Sequence, residues 1–295
     1  MRLSDWLTSA QLELTQAHID RDDAAYEPKR IAQEILGLSF TEVILRGGQS
    51  LTHEELEALN RVIVRRQARE PLSQILGTWE FWSLPFKVTP DTLTPRPDTE
   101  VLVEEVTAWL SSSPLAIDGA WVLDIGTGTG CVGLSLATEL PHLCFELTDI
   151  SERALAIAEE NRVNLLNLGL LSPQAQVIVT CADLLERRLR ATSPIAVVSN
   201  PPYIRPASAV RLMPEVIDYE PHLALFGEGR DGLGFVRRLA LDALELLPSG
   251  GGLFVEVGYD QTDIGAECLT QLGYQEVRIR HDYGGQPRVI CGVKP

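Results

Sequence analysis

The sequence predicts an α/β protein in which a helical N-terminal segment precedes a parallel, doubly wound sheet that ends in an antiparallel hairpin. Three observations support this prediction. Capping signals and helical periodicity fill residues 1–70. From residue 99 onward, short apolar strands alternate with helical segments, as in parallel sheets with helical crossovers. Near the end, two strand patterns are separated only by a short turn at 282–287, which favours a hairpin.

Residues 1–70 carry the start signals of several helices. In a capping box, a Ser or Thr hydroxyl accepts a backbone N–H in the first turn, and a Glu three residues later bonds back to the capping residue. Proline is favoured in a first turn because it has no N–H to leave unpaired. The signals are Ser4, Pro28, Ser39 with Glu42, and Thr52 with Glu55. We therefore expect residues 1–70 to form a helical domain.

Residues 71–98 are rich in proline and aromatic side chains, so we expect a short hairpin or an extended linker. Proline cannot donate a hydrogen bond inside a ladder and is confined to edges and turns. The prolines are Pro71, Pro85, Pro90, Pro95 and Pro97. Two interpretations remain open: a hydrophobic hinge between domains, or a segment whose end lines a pocket.

Residues 99–295 alternate between helix and strand patterns, and we expect them to form the α/β domain. Helical patterns cover 99–110, 151–166 and 232–247. Strand patterns lie at 120–125, 144–148, 175–180, 195–199, 252–257, 276–281 and 288–293. Because crossovers separate the first five strands, those strands should pair in parallel, and the last two should form the hairpin.

The composition argues against several functional classes. The 295 residues include 41 acidic and 25 basic side chains, a net charge of −16, so non-specific nucleic-acid binding is not expected. The N-terminus has no signal-peptide pattern, and no run reaches the roughly 18 apolar residues of a transmembrane helix, so we expect a cytoplasmic protein. The five cysteines form no C-x-x-C pair and the five histidines show no ligand spacing, so no metal site is expected.

A glycine-rich turn follows the first strand of the α/β domain, in the sequence Asp124-Ile125-Gly126-Thr127-Gly128-Thr129-Gly130. Glycines let the backbone turn tightly and approach a ligand, and the start of the next helix offers free N–H groups. Residues 128–133 match G-x-G-x-x-G, which alone is a weak sign of a dinucleotide site. Asp124 favours S-adenosylmethionine over NAD, because a carboxylate attracts an ammonium group and repels a pyrophosphate.

Two further carboxylates follow the next strands. Asp149 is placed to accept hydrogen bonds from two ribose hydroxyls, as both cofactors would require. A helix-capping role beside Ser151 is the alternative for this residue. Asp183 is placed to meet the adenine edge, and a cap or loop role remains open for it as well.

The sequence Asn200-Pro201-Pro202-Tyr203 follows the fourth strand. A planar –NH2 group needs two acceptors to orient its hydrogens, and the Asn200 side-chain oxygen and the Pro201 carbonyl can supply them. Tyr203 can stack on the flat face of that group. Such fixed acceptors also stabilise the positive charge that develops on a nitrogen attacking a sulfonium methyl group. The motif therefore indicates methyl transfer to a planar –NH2 group.

Together with other motifs, these residues resemble the release-factor glutamine N5-methyltransferases of the HemK/PrmC type over nearly the whole chain. The matching residues outside the glycine turn and the diproline motif are 69–72, Gly77, 93–100, 149–151, 154–155, 219–221, 224–225, 231–233, and Asp282, Gly285 and Arg288. The Asn-Pro-Pro-Tyr motif alone is shared with adenine-N6 methyltransferases. The linker motif at 93–100 and the helical N-terminal segment are the specific part.

The resemblance implies a seven-stranded, Rossmann-like class I methyltransferase domain and an N-terminal bundle that helps to hold a release factor. It implies transfer from S-adenosylmethionine to the glutamine of a Gly-Gly-Gln tripeptide. The cofactor residues would be Asp124, Gly126, Thr127, Gly128, Thr129, Gly130, Asp149, Asp183, Leu184 and Asn200. Leu184 replaces a frequent aromatic, so adenine would meet apolar packing. The glutamine amide would be bound by Asn200, Pro201, Pro202 and Tyr203, with Asn200, Pro201 and Tyr203 as the catalytic set.

Three alternatives stay open from the residues themselves. An adenine-N6 methyltransferase would share the diproline motif, because adenine N6 is also a flat –NH2 group. A binding module could hold a translation factor without turnover, and an NAD oxidoreductase would share the glycine turn. The expected partner is a peptide chain release factor, with no nucleic-acid substrate, no membrane and a monomeric state.

Overall fold

A computed structural model of the chain describes residues 1–184 and 193–295, and these residues form two units. The first unit comprises residues 1–78 and 213–219. The second comprises the described residues of 79–212 and 220–295. No helix in this described part of the chain has the length and apolarity needed to cross a membrane.

The first unit is helical. Its helices are α1 (Leu3–Gln16), α2 (Arg21–Leu36), α3 (Phe40–Leu45), α4 (His53–Gln67), α5 (Leu72–Leu76) and the short α9 (Pro214–Ile217). Both capping boxes are confirmed: Ser39 and Glu42 cap α3, and Thr52 and Glu55 cap α4. Glu215 of α9 belongs to this unit because its carboxylate accepts hydrogen bonds from Arg66 at 2.8 Å and Arg69 at 2.5 Å.

Two predicted helix starts are wrong. Ser4 lies inside α1, whose cap is Arg2. Pro28 lies in the middle of α2, because that helix begins directly after its N-cap Asp20, whose carboxylate accepts the Asp22 N–H. An anionic side chain stabilises the positive N-terminal end of a helix by about 0.3–1 kcal/mol. Because a proline inside a helix costs about 3 kcal/mol, burial of the apolar face that includes Pro28, Ile31 and Ala32 supplies the rest.

The second unit contains a hairpin of β1 (Thr78–Phe81) and β2 (Leu84–Lys87) and a seven-stranded sheet. The strands of the sheet are β3 (Trp121–Ile125), β4 (Cys144–Asp149), β5 (Gln176–Cys181), β6 (Ala196–Ser199), β7 (Gly252–Glu256), β8 (Gln275–His281) and β9 (Pro287–Val293). Their order is β5-β4-β3-β6-β7-β9-β8, in which β9 alone runs antiparallel to both neighbours. This order confirms the predicted doubly wound fold with a final hairpin.

Helices cover both faces of the sheet. They are α6 (Glu100–Ser112), α7 (Cys131–Glu139), α8 (Glu152–Asn167), α11 (Gly234–Leu246) and α12 (Thr262–Leu272), and the short α10 (His222–Leu225) lies between β6 and α11 in the chain. Successive side chains of a strand point to opposite faces. Accordingly, Val122 packs in the apolar cluster that includes Leu102 of α6, and its neighbour Leu123 packs in the cluster that includes Leu239 of α11. Burial of each such side chain contributes about 1.5–3 kcal/mol.

Short helices in the proline-rich segments were not predicted. They are α5, α9, α10 and two 3₁₀ helices at Pro97–Thr99 and Pro206–Arg211. Proline occupies the first turn of three of them, beginning at Pro97, Pro206 and Pro214. Proline suits that position, so these residues are helix starts rather than breakers. In the hairpin, Pro85 lies in β2, a strand with only one partner, where a missing N–H is tolerated.

The chain reverses its direction of travel across the sheet between β3 and β6. From β3 it passes to β4 and β5 on one side, and it then returns to place β6 and β7 on the other side. In open α/β sheets, ligands bind outside the carboxyl ends of the strands at such a switch point. The glycine turn after β3 and the diproline motif after β6 therefore begin at the same place.

Candidate active site

A cavity of about 400 Å³ lies at the carboxyl ends of β3, β4 and β6, within the second unit. Among the predicted site residues, it brings together Asp124, Gly126, Thr127, Gly128, Thr129, Asp149, Asp183, Leu184, Asn200 and Pro202. Gly130, Pro201 and Tyr203 do not line it. Residues 91–96 and Thr99 also line the cavity, which favours the pocket-lining interpretation of the end of the linker.

The glycine turn is tight and open toward the cavity. Gly126 and Gly128 have φ values of 71° and 56°, which glycine adopts without strain. The Thr127 N–H donates to the Thr148 carbonyl at 2.8 Å and ties the turn to the end of β4. An added Cβ at Gly126 or Gly128 would have no atom within 4 Å, so free space lies beside this backbone.

The buried Asp124 carboxylate stabilises the glycine turn through hydrogen bonds. Its side chain is 2% exposed, and Oδ2 accepts hydrogen bonds from the Thr127 hydroxyl at 2.5 Å and the Gly133 N–H at 3.0 Å. Burial raises the pKa of Asp124 to about 6, although both hydrogen bonds oppose the shift. A Cβ at residue 133 would lie 2.9 Å from Oδ2, so the third glycine of the fingerprint allows this close approach.

Asp149 links the turn to the next helix. Its Oδ2 accepts the Gly128 N–H at 3.0 Å and its Oδ1 accepts the Ser151 N–H at 2.9 Å. Ser151 is the N-cap of α8, since its hydroxyl accepts the Ala154 N–H. Burial raises the pKa of Asp149 above its ordinary value. The capping arrangement and the place on the cavity wall therefore occur together.

The residues after β5 present one polar side chain, Asp183, and two apolar side chains, Ala182 and Leu184, to the cavity. Asp183 is exposed, whereas Leu184 is buried and packs in the cluster that contains Leu233 and Val236. Leu184 also has a φ of 51°, an uncommon value for a side chain of this size. The wall at this point is apolar packing rather than an aromatic stack.

Asn200 follows β6 directly and faces the cavity. Its Nδ2 donates to the Thr99 hydroxyl oxygen at 3.1 Å. The preceding Ser199 hydroxyl donates to the Ile125 carbonyl at 2.7 Å, which ties the ends of β6 and β3 together. One hydrogen of Nδ2 is engaged by Thr99, and Oδ1 is the acceptor that the Asn200 side chain can offer to a ligand.

Tyr203 makes its polar contact behind this wall. Its hydroxyl donates to Oε1 of the buried Glu256 at 3.1 Å, and its carbonyl accepts from Gln261 Nε2 at 2.9 Å. Burial, together with the charge of Glu256, raises the pKa of Tyr203. The hydroxyl is therefore a neutral donor held against a carboxylate.

The segment 226–232 packs closely on the backbone of the diproline motif. A Cβ at Gly232 would lie 2.3 Å from the Tyr203 carbonyl oxygen, and a Cβ at Gly227 would lie 2.9 Å from the Pro202 carbonyl oxygen. Glycine is thus required at both positions for two backbone segments to touch. This contact explains why Asp231-Gly232-Leu233 accompanies the diproline motif in the sequence.

The linker motif also contributes contacts that the residue-level prediction missed. Arg96 pairs with the buried Glu220 at 2.6 Å, and Glu220 Oε1 accepts the Thr94 N–H at 3.3 Å. Asp98 pairs with Arg288 at 3.1 Å. The motifs around 96, 220 and 288 are distant in sequence but meet beside the cavity, and only their co-occurrence in the resemblance signalled this.

Two family models match the chain. Residues 5–77 match the PrmC N-terminal domain, and residues 99–222 match the methyltransferase small domain. A release factor glutamine methyltransferase of Geobacter sulfurreducens is 37% identical over 97% of this chain and 96% of its own length. One of Caulobacter vibrioides is 37% identical over 97% of this chain and 94% of its own length.

Among solved structures, the hMettl16 catalytic domain, in complex with MAT2A 3'UTR hairpin 1, superimposes with a TM-score of 0.56. It is 18% identical, and the match covers 85% of this chain and 84% of that one. At this identity the likeness concerns the fold alone.

Proposed function

The chain belongs to the release factor glutamine methyltransferase family, and on this premise we propose its reaction and substrate. S-adenosylmethionine is the methyl donor. The acceptor is the side-chain amide nitrogen, N5, of the glutamine in the Gly-Gly-Gln motif of peptide chain release factors. The single observation that carries this proposal is Asn200, which is fixed by Thr99 at the cavity wall where β6 ends.

The described residues fit S-adenosylmethionine. The cavity volume lies within the about 300–1,000 Å³ typical of small-molecule sites. The open space beside Gly126 and Gly128 allows a ligand to approach the turn. Asp149 and Asp183 supply carboxylates for hydroxyl and amino groups, and Leu184 supplies apolar surface. We assign Asp124, 126–130 and these three side chains to cofactor binding.

We assign the glutamine amide to the diproline motif. Asn200 Oδ1 and the Pro201 carbonyl act as acceptors for the two amide hydrogens, and Pro202 and Tyr203 stiffen this corner. An amide nitrogen is a weak nucleophile because its lone pair is delocalised into the carbonyl. Orientation of the amide therefore contributes most of the rate, and fixed acceptors stabilise the positive charge that develops on nitrogen.

The bound cofactor supplies a methyl group on a positively charged sulfur. When bound, the cofactor would give its methyl group to the amide nitrogen, and its sulfur would keep the electron pair of the broken S–CH3 bond. The nitrogen would release its surplus proton to water. This chain's contribution is to hold the amide hydrogens at Asn200 and Pro201 and to exclude water with the apolar part of the cavity wall.

We also propose roles for the parts of the chain. Residues 1–70 act as the substrate-recognition domain, 71–98 as the linker and 99–295 as the methyltransferase domain. We propose that the protein acts as a monomer in the cytoplasm. Its substrate is a protein rather than a nucleic acid, and the net charge of −16 supports this choice of substrate. Light scattering of the purified protein tests the monomeric state.

Methyl-labelled S-adenosylmethionine and a release factor test the reaction, with a factor whose Gly-Gly-Gln glutamine is replaced by alanine as the control. We expect label on the natural factor alone, at the glutamine amide by mass spectrometry. Label found only on DNA or RNA would identify an adenine methyltransferase, and binding of the factor without label would identify a binding module. S-adenosylmethionine, but not NAD, should raise the melting temperature.

A further inference from the structure

Gln261 is a buried amide that the proposed reaction has not yet used. It is the N-cap residue of α12 and is 2% exposed. It does not line the cavity. Sequence analysis did not select this residue, because a single glutamine at the start of a helix carries no motif.

The acceptor and both hydrogens of this side chain are engaged by backbone groups from three loops. Oε1 accepts the Gly258 N–H at 2.8 Å, which identifies it as the oxygen end of the amide. Nε2 donates to the Tyr203 carbonyl at 2.9 Å and to the Asp231 carbonyl at 2.6 Å. One buried side chain therefore joins the loop after β7, the diproline motif after β6 and the loop before α11.

Two glycines leave the space that the Gln261 amide occupies. A Cβ at Gly232 would lie 2.8 Å from Nε2 and 2.3 Å from the Tyr203 carbonyl oxygen. A Cβ at Gly258 would lie 2.6 Å from Oε1. These distances are too short for a real Cβ, so the approach of the amide to its backbone partners depends on glycine at both positions.

The diproline corner, from Asn200 to Tyr203, is a stiff segment that is anchored at both ends. The proline rings fix φ at its two central positions, and the residue before each proline is restricted as well. At the first end, Asn200 Nδ2 donates to the Thr99 hydroxyl oxygen at 3.1 Å. At the second end, Gln261 holds the Tyr203 carbonyl. The Pro201 carbonyl lies between these anchors, so its direction depends on both of them.

We propose that Gln261 is a positioning residue that holds the Tyr203 carbonyl and thereby directs the Pro201 carbonyl toward the substrate amide. The inference rests on the proposed function, in which the Pro201 carbonyl is an acceptor for an –NH2 group. Gln261 itself touches neither cofactor nor substrate in this assignment. Its effect is therefore on kcat, because a displacement of about 1 Å in the reacting geometry can cost about 100-fold in rate.

The test compares Gln261→Met with Asn161→Leu in the full chain, using methyl transfer to a release factor. Methionine has a similar size to glutamine but makes none of its three hydrogen bonds. Asn161 is a matched control, because it is fully buried and its Oδ1 likewise accepts one backbone N–H, that of Lys87, at 2.6 Å. Its Nδ2 likewise donates to two carbonyls, those of Lys87 at 3.1 Å and Thr129 at 2.9 Å. Asn161 thus binds the glycine turn rather than the diproline corner.

The rate per cofactor-binding site should separate the two variants. For Gln261→Met, kcat should fall about 10- to 100-fold, because the corner loses its second anchor. Its Kd for S-adenosylmethionine should stay within about twofold of the unmodified value. For Asn161→Leu, kcat at saturating cofactor should stay within about twofold, because the corner keeps both anchors. Calorimetry gives the Kd and the number of binding sites, so unfolded protein is not counted as slow enzyme.

Gln261→Glu distinguishes the lost hydrogen bonds from lost packing. This change keeps the length of the side chain and an oxygen for the Gly258 N–H. A carboxyl group has at most one hydrogen to donate, where the amide donates two. We expect kcat to fall about 10-fold or more, again with an unchanged Kd for the cofactor. Should Gln261→Met fail to fold, Gln261→Glu decides the question.

The inference is overturned if Gln261→Met keeps the kcat per binding site of the unmodified protein, or if Asn161→Leu loses as much. It is also overturned if Gln261→Met raises the Kd for S-adenosylmethionine as strongly as it lowers kcat, because the side chain would then shape the cofactor site. If the unmodified protein labels no release factor at all, the proposed function fails, which is a distinct result.

Discussion

On one side of the cavity, carboxylates are held by backbone N–H groups, whereas on the other side polar side chains are held by one another. The first side, the glycine-turn wall, comprises residues 124–133 and 149–151. The second, the Asn200 wall, comprises Thr99, 200–203 and Glu256. Both walls lie at the carboxyl ends of parallel strands. The hydrogen bonds that orient their side chains come from backbone N–H groups in the first wall and from other side chains in the second.

The difference teaches how each wall should respond to substitution. Backbone groups stay in place when a side chain changes, so damage to the glycine-turn wall should remain local and should appear mainly in cofactor affinity. On the Asn200 wall, Thr99 accepts from Asn200 and Tyr203 donates to Glu256, so the loss of one side chain removes the hydrogen bond that orients its partner. Damage there should appear mainly in kcat.

The largest effect is expected for Asn200→Ala. This change removes the acceptor Oδ1 from the Asn200 wall, and kcat at saturating cofactor should fall about 100- to 1,000-fold, as for loss of a preorganised transition-state hydrogen bond. Single-turnover methyl transfer measures it. Asn164→Ala, on the exposed face of α8, is the control and should be silent. Near-normal turnover of Asn200→Ala would contradict the proposed mechanism.

Asp149→Ala should disrupt the glycine-turn wall and weaken the binding of S-adenosylmethionine. Two N–H groups, those of Gly128 and Ser151, lose their acceptor, and the carboxylate that we propose as a cofactor partner is removed. Hydrogen bonds to charged groups contribute about 1.5–3 kcal/mol, so the Kd for S-adenosylmethionine should rise about 10- to 100-fold. Calorimetry measures it, with the exposed Asp263→Ala as the control. An unchanged Kd would remove Asp149 from the cofactor site.

Gly133→Ala tests the support of the glycine-turn wall through stability. The new Cβ would lie 2.8 Å from Leu147 and 2.9 Å from the Asp124 carboxylate, so neighbours must shift. Such overpacking costs about 1–3 kcal/mol, which denaturant unfolding can resolve. Gly48→Ala is the comparison, because its Cβ meets no atom within 4 Å. Equal stability of the two variants would show that Leu147 and Asp124 can shift to accept the new Cβ without a measurable loss of stability.

The smallest effect concerns the pH dependence of stability at Asp124. Its folded pKa of about 6 exceeds the ordinary value of 3.8, so the folded state binds the proton more tightly than the unfolded chain. This contribution to the free energy of unfolding is present below about pH 4 and is lost as the pH rises through about 6. Asp124→Asn should therefore show a shallower decline between these pH values. An identical slope in denaturant titrations would count against the buried, proton-binding carboxylate.

Much of the fold followed from local patterns. The strands and both capping boxes were predictable because side-chain periodicity and caps depend on residues within a few positions. The start of α2 was mispredicted because Pro28 and the aspartates at 20, 22 and 23 give competing local signals. The sequence analysis assigned no element to the short helices near 206 and 214, because they have too few residues for a helical periodicity, although proline suits a first turn.

The sequence by itself determined the class of the sheet and the places where its functional loops begin, because apolar strands, glycines and a diproline pair impose their backbone geometry locally. Only the tertiary structure decided which side chains share a hydrogen bond. Thr99 lies 101 residues before Asn200, and Tyr203 lies 53 residues before Glu256, so no spacing in the sequence could pair them. Burial of Glu256 likewise arises only when the strands assemble, and that burial raises its pKa to about 7.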